Sequence, residues 1–393
     1  MHCHNFHGIF LQVSSNDKKK TLERSMRKLV RKTIIVLIAV MLIRNTCGAE
    51  GLDLSVSADS AVLYVPETNT FLYTKNADQR LPMASTTKIM TALITIENTD
   101  LGDTVTVPME AVGVEGSSAY LKGGEVLTIE ELLYALMLQS ANDVAATLAY
   151  HIGGSIEGFA DIMNEKAESL GLVDTHFTNP HGLDDENHYT TARELAIITA
   201  EALKNDDLKT IVSTEKITFA TDERRRTYIN HNKLLHLYDG CIGVKTGFTK
   251  KSGRCLVSAA ERCNLTFISV TLDAPNDWSD HTKMLDLGYD TLEKTELCSE
   301  GEYTHEIPVI GGKSDYLTVT NKTALSFIRE RSEQEITANI KLSRYAIAPI
   351  NEGDILGEII FTENGNEIGR VSLVAQDSIE KQKQKGFLSK FFH

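Results

Sequence analysis

The chain has only seven prolines in 393 residues, no Cys-x-x-Cys pair among its six cysteines, and no internal repeat or low-complexity stretch. Its longest apolar run is eleven residues, Thr33 to Ile43. Each absence excludes something. Few prolines with 42% hydrophobic residues exclude a disordered chain and describe a globular one of two or three domains. Eleven apolar residues are too few to cross a bilayer comfortably. The cysteine positions fit no zinc-ligand spacing. Basic charge is scarce too, except at one end. Residues 1–49 hold nine Lys/Arg and two Asp/Glu, which leaves 31 against 52 in the remainder, a net charge of −21. So acidic a body lacks the basic footprint that nucleic acid requires, and no nucleic-acid partner is expected.

The basic N-terminus reads as an export signal. "MRKLVRK" (Met26–Lys32) is a cationic lead, Thr33–Ile43 the apolar core, and "CGA" (Cys47–Ala49) offers small residues for cleavage after Ala49. A short uncleaved anchor is the alternative. The polar residues before Met26 have no export logic, so Met26 is the expected start. Arg44, Asn45 and Thr46 are not the small apolar residues of a lipoprotein site, which sets Cys47 aside. Of the other cysteines, Cys241 and Cys255 are the nearest candidates for a bridge across a hairpin. Free buried thiols are the expectation for Cys241, Cys255, Cys263 and Cys298.

Patterning gives the organisation. "AVLYVPETNTFLYTKN" (Ala61–Asn76) reads as a hairpin. Ile89, Leu93 and Ile96 then recur at helical spacing. Thr128 with Glu131, and Thr191 with Glu194, are capping-box pairs opening two more helices. A helix ending at Gly153 and another stopped by Gly171 lie between them. After residue 240, "GCIGVKTGFT", "GRCLVSAAE" and "LTFISVTLDA" form an antiparallel meander, followed by a last helix and then only strands. The expectation is an α+β fold: a catalytic domain over residues 50–296 with an antiparallel sheet and helices, a small all-β domain over 297–377, and a tail over 378–393.

Chemistry enters at "LPMASTTKIM", where Ser85 precedes Lys88 by three residues. The spacing alone is weak. Five Ser-x-x-Lys matches occur, at Ser15, Ser25, Ser85, Ser213 and Ser378, where average composition gives about one or two. Two further motifs follow in order. "SAN" (Ser140–Asn142) lies between two helices, and "KTG" (Lys245–Gly247), which occurs once, lies on the first strand of the meander. S-x-x-K, S-D-N and K-T-G together mark penicillin-binding proteins and class A β-lactamases; Ala141 stands here where that pattern has Asp.

With these motifs the chain resembles the low-molecular-mass penicillin-binding proteins, serine D-alanyl-D-alanine carboxypeptidases. The likeness extends over "RLPMASTTKIMTAL", "LMLQSANDVA", "NPHGLDDENHYTTARELA" and "GVKTGFTKKSGRCLVSAA", and over the C-terminal "INEGDILGEIIFTENGNEIGRVSLVA". It implies a penicillin-binding/β-lactamase-like catalytic domain followed by the β domain. It implies removal of the terminal D-Ala from peptidoglycan stem peptides at the outer face of the bacterial membrane, with β-lactams as covalent inhibitors and no metal or organic cofactor.

Residue by residue, the chemistry reads as follows. Ser85, at a helix start, is the nucleophile, with Lys88 one turn on as its base. A neutral Lys88 requires burial and a second cation, which Lys245 supplies. Ser140 relays a proton to the leaving amine, and Asn142 holds Lys88 and the substrate amide. The strand carrying Lys245 takes up the peptide as an added strand, Lys245 and Thr246 grip its carboxylate, and Gly247 allows close approach. The N–H groups of Ser85 and Phe248 form the oxyanion hole; Phe248 stands where a polar residue is common in the family.

His176, His181 and His188 with Asp184 and Asp185 suggest a zinc peptidase, but their spacing is not that of a helical zinc motif, and the family has a similar His-Gly-Leu loop. They are read as loop structure. Two alternatives remain: a class A-like β-lactamase, for which the loop after the second helix lacks a Glu-x-x-x-Asn motif, and a non-catalytic penicillin sensor, for which a motif residue should be missing. Finally, "IEKQKQKGFLSKFFH" (Ile379–His393) places Phe387, Leu388, Phe391 and Phe392 on one helical face among Lys381, Lys383, Lys385 and Lys390. It resembles the family's amphipathic membrane anchor.

Overall fold

The structure, a computed structural model, describes residues 54–221, 224–332 and 334–383. The export signal over residues 1–49 and most of the tail, residues 384–393, lie outside the described residues. Among the described residues, no helix is long and apolar enough to cross a membrane.

In chain order the first part contains β1 (Ser60–Val65), β2 (Thr70–Lys75), α1 (Lys88–Asn98), β3 (Thr104–Thr106), β4 (Val126–Thr128), α2 (Ile129–Leu138), α3 (Asn142–Gly153), α4 (Ile156–Ser169), α5 (Ala192–Ala202) and α6 (Asp206–Ser213). Then come β5 (Lys216–Ala220), β6 (Arg225–Ile229), the single turn α7 (Leu234–Leu237), β7 (Cys241–Thr249), β8 (Gly253–Arg262), β9 (Leu265–Leu272) and α8 (Asp277–Thr291). The early hairpin joins the late meander in one antiparallel sheet, ordered β2-β1-β9-β8-β7.

Strand alternation divides the core between the two faces of that sheet. Val62, Val257 and Val270 point to the helical side, where they meet α1 to α6. Leu63, Leu256 and Phe267 point to the other side and pack on α8. This period-2 split is why every central strand reads as almost continuously apolar. β7 is one of the two edge strands, so one side of its backbone has no partner strand among the described residues.

Both expected N-caps form, since Thr128 and Thr191 accept the N–H groups of Glu131 and Glu194. The glutamates, however, do not turn back to complete a capping box. Glu131 binds Arg224 and the hydroxyl of Tyr228, while Glu194 accepts the N–H groups of Val173 and Asp174 and the hydroxyl of Thr175. Tertiary partners thus take both carboxylates away from the local motif. The sequence reading missed α6, the hairpin β5–β6 and the short pair β3–β4, the last with strands of only three residues.

Past α8 the chain is all strand: β10 (Leu292–Cys298), β11 (Thr304–Ile310), β12 (Tyr316–Asn321), β13 (Leu325–Glu330), β14 (Ile336–Leu342), β15 (Ala346–Ile347), β16 (Ile355–Glu363) and β17 (Asn366–Ala375). β10 pairs with β13, and the others form a six-stranded sheet ordered β14-β16-β17-β12-β11-β15. The division expected between residues 296 and 297 falls inside β10. The tail also begins later than expected. Ile379 is only 7% exposed, packs into the core of the β sheet, and bridges to Ile350, while Lys381 bridges to Gly312.

All four described cysteines are free, and Cys255 lies opposite Gly247 rather than Cys241. Cys263 is exposed, against the expectation of a buried thiol; burial raises the pKa of Cys241 and of Cys255 to about 11. Both are therefore poor nucleophiles at neutral pH.

Candidate active site

Ser85 sits in a tight 3₁₀ turn, Ala84–Thr87, that leads directly into α1. Ala84 holds the left-handed φ of 47° that turns the chain there. Such strain in a non-glycine residue costs on the order of 1–3 kcal/mol and is kept only where the surroundings impose it. The imposing neighbours are visible: a Cβ on Gly247 would lie 3.1 Å from both Ser85 N and Ala84 Cβ, and one on Gly182 would lie 1.9 Å from Ala84 O. Both glycines therefore let strand and loop close on the turn that presents Ser85. The tight approach at Gly247 is to this turn, in addition to any substrate.

Lys88, the first residue of α1, is 0% exposed. Its Nζ lies 3.0 Å from Ser85 Oγ, 2.7 Å from Asn142 Oδ1 and 2.6 Å from the carbonyl of His181. Asn142 is fixed in turn, its Nδ2 donating to Glu115 O at 2.5 Å. The pKa of Lys88 falls well below its ordinary value, first because burial removes hydration and second because Lys245 places a like charge nearby; Asp143 opposes the shift. Lys245 is 1% exposed and makes one hydrogen bond, to Thr246 O at 3.1 Å; burial lowers its pKa to about 7.

Of the other expected residues, Ser140 (φ 62°), Thr246, Gly247 and Phe248 join Ser85 along a cleft of about 390 Å³. Lys88, Asn142 and Lys245 are buried and do not line it. The Ser140 hydroxyl has no hydrogen-bond partner among the described residues. Of the other Ser-x-x-Lys matches, the two among the described residues come to nothing, since Ser378, Lys381 and Lys216 are exposed; Ser15 and Ser25 lie outside the described residues. Burial of the lysine separates Ser85 from its decoys.

The order of motifs and the fold of the described residues agree with known proteins. The D-alanyl-D-alanine carboxypeptidase family matches residues 46–276, and the C-terminal domain of penicillin-binding protein 5 matches residues 292–381. The chain belongs to the D-alanyl-D-alanine carboxypeptidase family. D-alanyl-D-alanine carboxypeptidase DacF of Bacillus subtilis is 31% identical over 371 residues, covering 92% of this chain and 95% of the relative. The D-alanyl-D-alanine carboxypeptidase of Streptomyces sp. strain K15 is 37% identical and covers 56% of this chain and 84% of the relative. The crystal structure of penicillin-binding protein 5 from Haemophilus influenzae matches with a TM-score of 0.60 at 27% identity, over 83% of this chain and 98% of that one. Its fold class, a catalytic α+β domain followed by an all-β domain, is thereby the one expected.

In this carboxypeptidase the loop histidines are structural partners. His188 Nδ1 accepts the N–H of Thr178, which leaves Nε2 protonated and facing Thr87 Oγ1 at 2.8 Å. His181 Nδ1 accepts the N–H of Leu183. Burial, the leading cause for each, lowers the pKa of His181 to about 3 and of His188 to about 4. Both are neutral at physiological pH. Among the described residues no group of three metal-ligating side chains converges.

Several contributors had no sequence signal. The His181 carbonyl acts through backbone, which side-chain motifs cannot show. Ser117, His231, Lys233, Arg254 and Trp278 line the cleft from positions outside the three motif triplets, Arg254 seven residues past Gly247 and Trp278 at the start of α8. The one available hint was Trp278, the single tryptophan of the chain.

Proposed function

We propose that this enzyme removes the terminal D-Ala of peptidoglycan stem peptides through a covalent intermediate on Ser85. The observation carrying this reading is the buried Lys88 ammonium site, 3.0 Å from Ser85 Oγ and shifted toward neutrality by burial and by Lys245. Neutral Lys88 takes the hydroxyl proton as Oγ bonds to the penultimate D-Ala carbonyl carbon. The carbonyl oxygen becomes an oxyanion facing the N–H groups of Ser85 and Phe248. The C–N bond then breaks, and the proton passes by way of Ser140 to the departing amine. Water next attacks the ester, Lys88 takes its proton, and Ser85 is regenerated. Lys245 and Thr246 hold the terminal carboxylate, and Asn142 orients Lys88 and the substrate amide.

β-Lactams, whose strained amide presents the same carbonyl and carboxylate, acylate Ser85 in the same way. A β-lactamase reading would need a glutamate to activate the deacylating water, and the lining residues of the cleft include none. The test is direct. The chain freed of residues 1–49 is incubated with a D-Ala-D-Ala peptide, then with benzylpenicillin. Release of free D-Ala and a stable penicilloyl adduct located on Ser85 are expected. Rapid turnover of penicillin without an adduct would instead make it a β-lactamase.

The enzyme acts outside the cytoplasmic membrane in this reading, and the tail holds it there. Support comes from the contrast between the acidic body and a tail whose Lys385 and Lys390 flank Phe387, Leu388, Phe391 and Phe392. Because Ile379 belongs to the β core, the informative deletion is 384–393 rather than 379–393. The full chain is expected to sediment with anionic vesicles, and the deletion to remain in solution with peptide hydrolysis intact. Equal sedimentation of the two would remove the tail from the account.

A further inference from the structure

One end of the six-stranded sheet in the β domain leaves a strip of apolar side chains uncovered. In the parallel pair β11–β15, Val309 lies opposite Ala346 and Ile310 opposite Ile347. Alternation sends Val309 and Ala346 into the core and leaves Ile310 and Ile347 on the outer face, 52% and 67% exposed. Two residues back on that face of β11 is Pro308, also exposed, opposite Tyr316 of β12. Tyr316 is 62% exposed, and Tyr345, which leads directly into β15, is 53% exposed. Scattered apolar residues on a surface are ordinary, but a contiguous strip of them marks a face that meets something.

Two features say what that is. The first is where the chain leaves the domain. Gln382 N donates to the carbonyl of Gly311, the residue after Ile310, at 2.8 Å, and Lys313 N donates to Glu380 O at 2.9 Å. The described residues end one position later, at Lys383. Phe387, the first aromatic of the tail, follows by four residues, a reach of at most about 14 Å. The second feature is charge. Lys313 pairs with Glu380, but Arg344, Lys381 and Lys383 are exposed with no ion-pair partner among the described residues. They outnumber Glu306 and Asp315, the unpaired acids nearest along the strands of the strip, and Lys385 and Lys390 follow in the tail. In a body of net charge −21 this is a local reversal of sign.

We propose that the strip of Tyr316, Pro308, Ile310 and Ile347 is a second membrane contact, separate from the tail and built from folded residues. It enters the interfacial layer of an anionic bilayer beside the root of the tail. Tyr316 and Tyr345 lie at headgroup depth, and Arg344, Lys381 and Lys383 meet the lipid phosphates. The tail ties the enzyme to the surface, and the strip sets which end of the β domain faces it. Two linked contacts also reinforce each other, because the first fixes the effective concentration at which the second binds. This inference rests on the reading that the tail holds the enzyme at the membrane.

The chain from Glu50 onward, which contains every described residue, is mixed with vesicles of phosphatidylcholine with or without phosphatidylglycerol. Ile310→Ser combined with Ile347→Ser is expected to lower partition into the anionic vesicles about tenfold, the size of two half-buried apolar side chains. Melting temperature and D-Ala release in solution should not change, because both side chains are already exposed. Lys381→Gln with Lys383→Gln should lower partition roughly tenfold and flatten its dependence on salt. Trp278, on the catalytic cleft, is the single tryptophan, so Ile347→Trp adds one reporter at the strip. Lipids brominated on their acyl chains should quench that reporter and leave wild-type fluorescence unchanged. Equal partition of the double serine variant, or a bound Ile347→Trp chain quenched no more than wild type, overturns the proposal and leaves the tail reading in place. Without vesicles, a change in the reporter on deleting residues 384–393 would make the strip the tail's own seat. Dimerisation lost in the serine variant would make it the face of a second copy. Either outcome also overturns the proposal. If the deletion partitions as the intact chain does and the reporter is still quenched, the tail reading fails and the strip stands. If neither form binds, both fail.

Discussion

Ser85→Ala is expected to abolish D-Ala release and penicillin labelling together while leaving the fold almost untouched. Loss of an activated serine nucleophile in other enzymes lowers kcat on the order of 10⁴–10⁶-fold. The stability change should stay within about 1 kcal/mol, the worth of one hydrogen bond between partly solvated groups. The physical reason is that Lys88 keeps Asn142 Oδ1 at 2.7 Å and His181 O at 2.6 Å when the hydroxyl goes. Mass spectrometry of the penicillin-treated variant and its thermal melt give both readouts. A covalent adduct on the variant would move the nucleophile elsewhere.

The second large effect is expected at Lys245, where charge and shape separate. Lys245→Gln removes the cation proposed to hold the carboxylate, and KM should rise tenfold or more, on the order of one lost charged contact. Its pH profile carries the sharper information. Burial lowers the pKa of Lys245 to about 7, so the free enzyme loses this cation as pH rises through that value. The basic limb of kcat/KM should therefore begin near neutrality in wild type and vanish in Lys245→Gln. The acid limb belongs to Lys88, which must be neutral to accept a proton. Lys245 is the second cause, after burial, of its lowered pKa. Without that like charge the pKa of Lys88 rises, and the acid limb should move to higher pH. Lys245→Arg keeps the charge, so its acid limb should stay closer to wild type, with a smaller loss in KM. Wild-type profiles in both variants would make Lys245 a bystander.

Much of this was legible in the chain because it is local or ordered along it. Nearly continuous apolar runs marked the hairpin and the meander, since a strand buried on both faces must be apolar at nearly every position. Thr128 and Thr191 marked helix starts, because a cap needs only the next three residues. Three short motifs in order, each at an element boundary, picked out Ser85, Lys88, Ser140, Asn142 and Lys245–Phe248. The net charge of −21 beyond residue 49 made nucleic acid a poor candidate for a partner.

Other decisions were made only by the fold. Four other serines share the Ser85 spacing, and what distinguishes Ser85 from the two among the described residues is that its lysine is 0% exposed and meets the His181 carbonyl, 93 positions along the chain. Burial and Lys245 set the protonation of Lys88, and neither can be read from a triplet of letters, because desolvation depends on every neighbour at once. Glu131 and Glu194 left their local caps for Arg224 and Thr175, since a partly buried carboxylate gains more from a cation or several donors than from one helix N–H. Ile379 looked like the root of a free tail and instead fills the β core. Lys233 and Trp278 carry no motif at all, and Arg254 stands in a family-like segment but outside its Lys-Thr-Gly triplet. They share the cleft only because β8, α7 and α8 meet on the face of the sheet away from the large helical core.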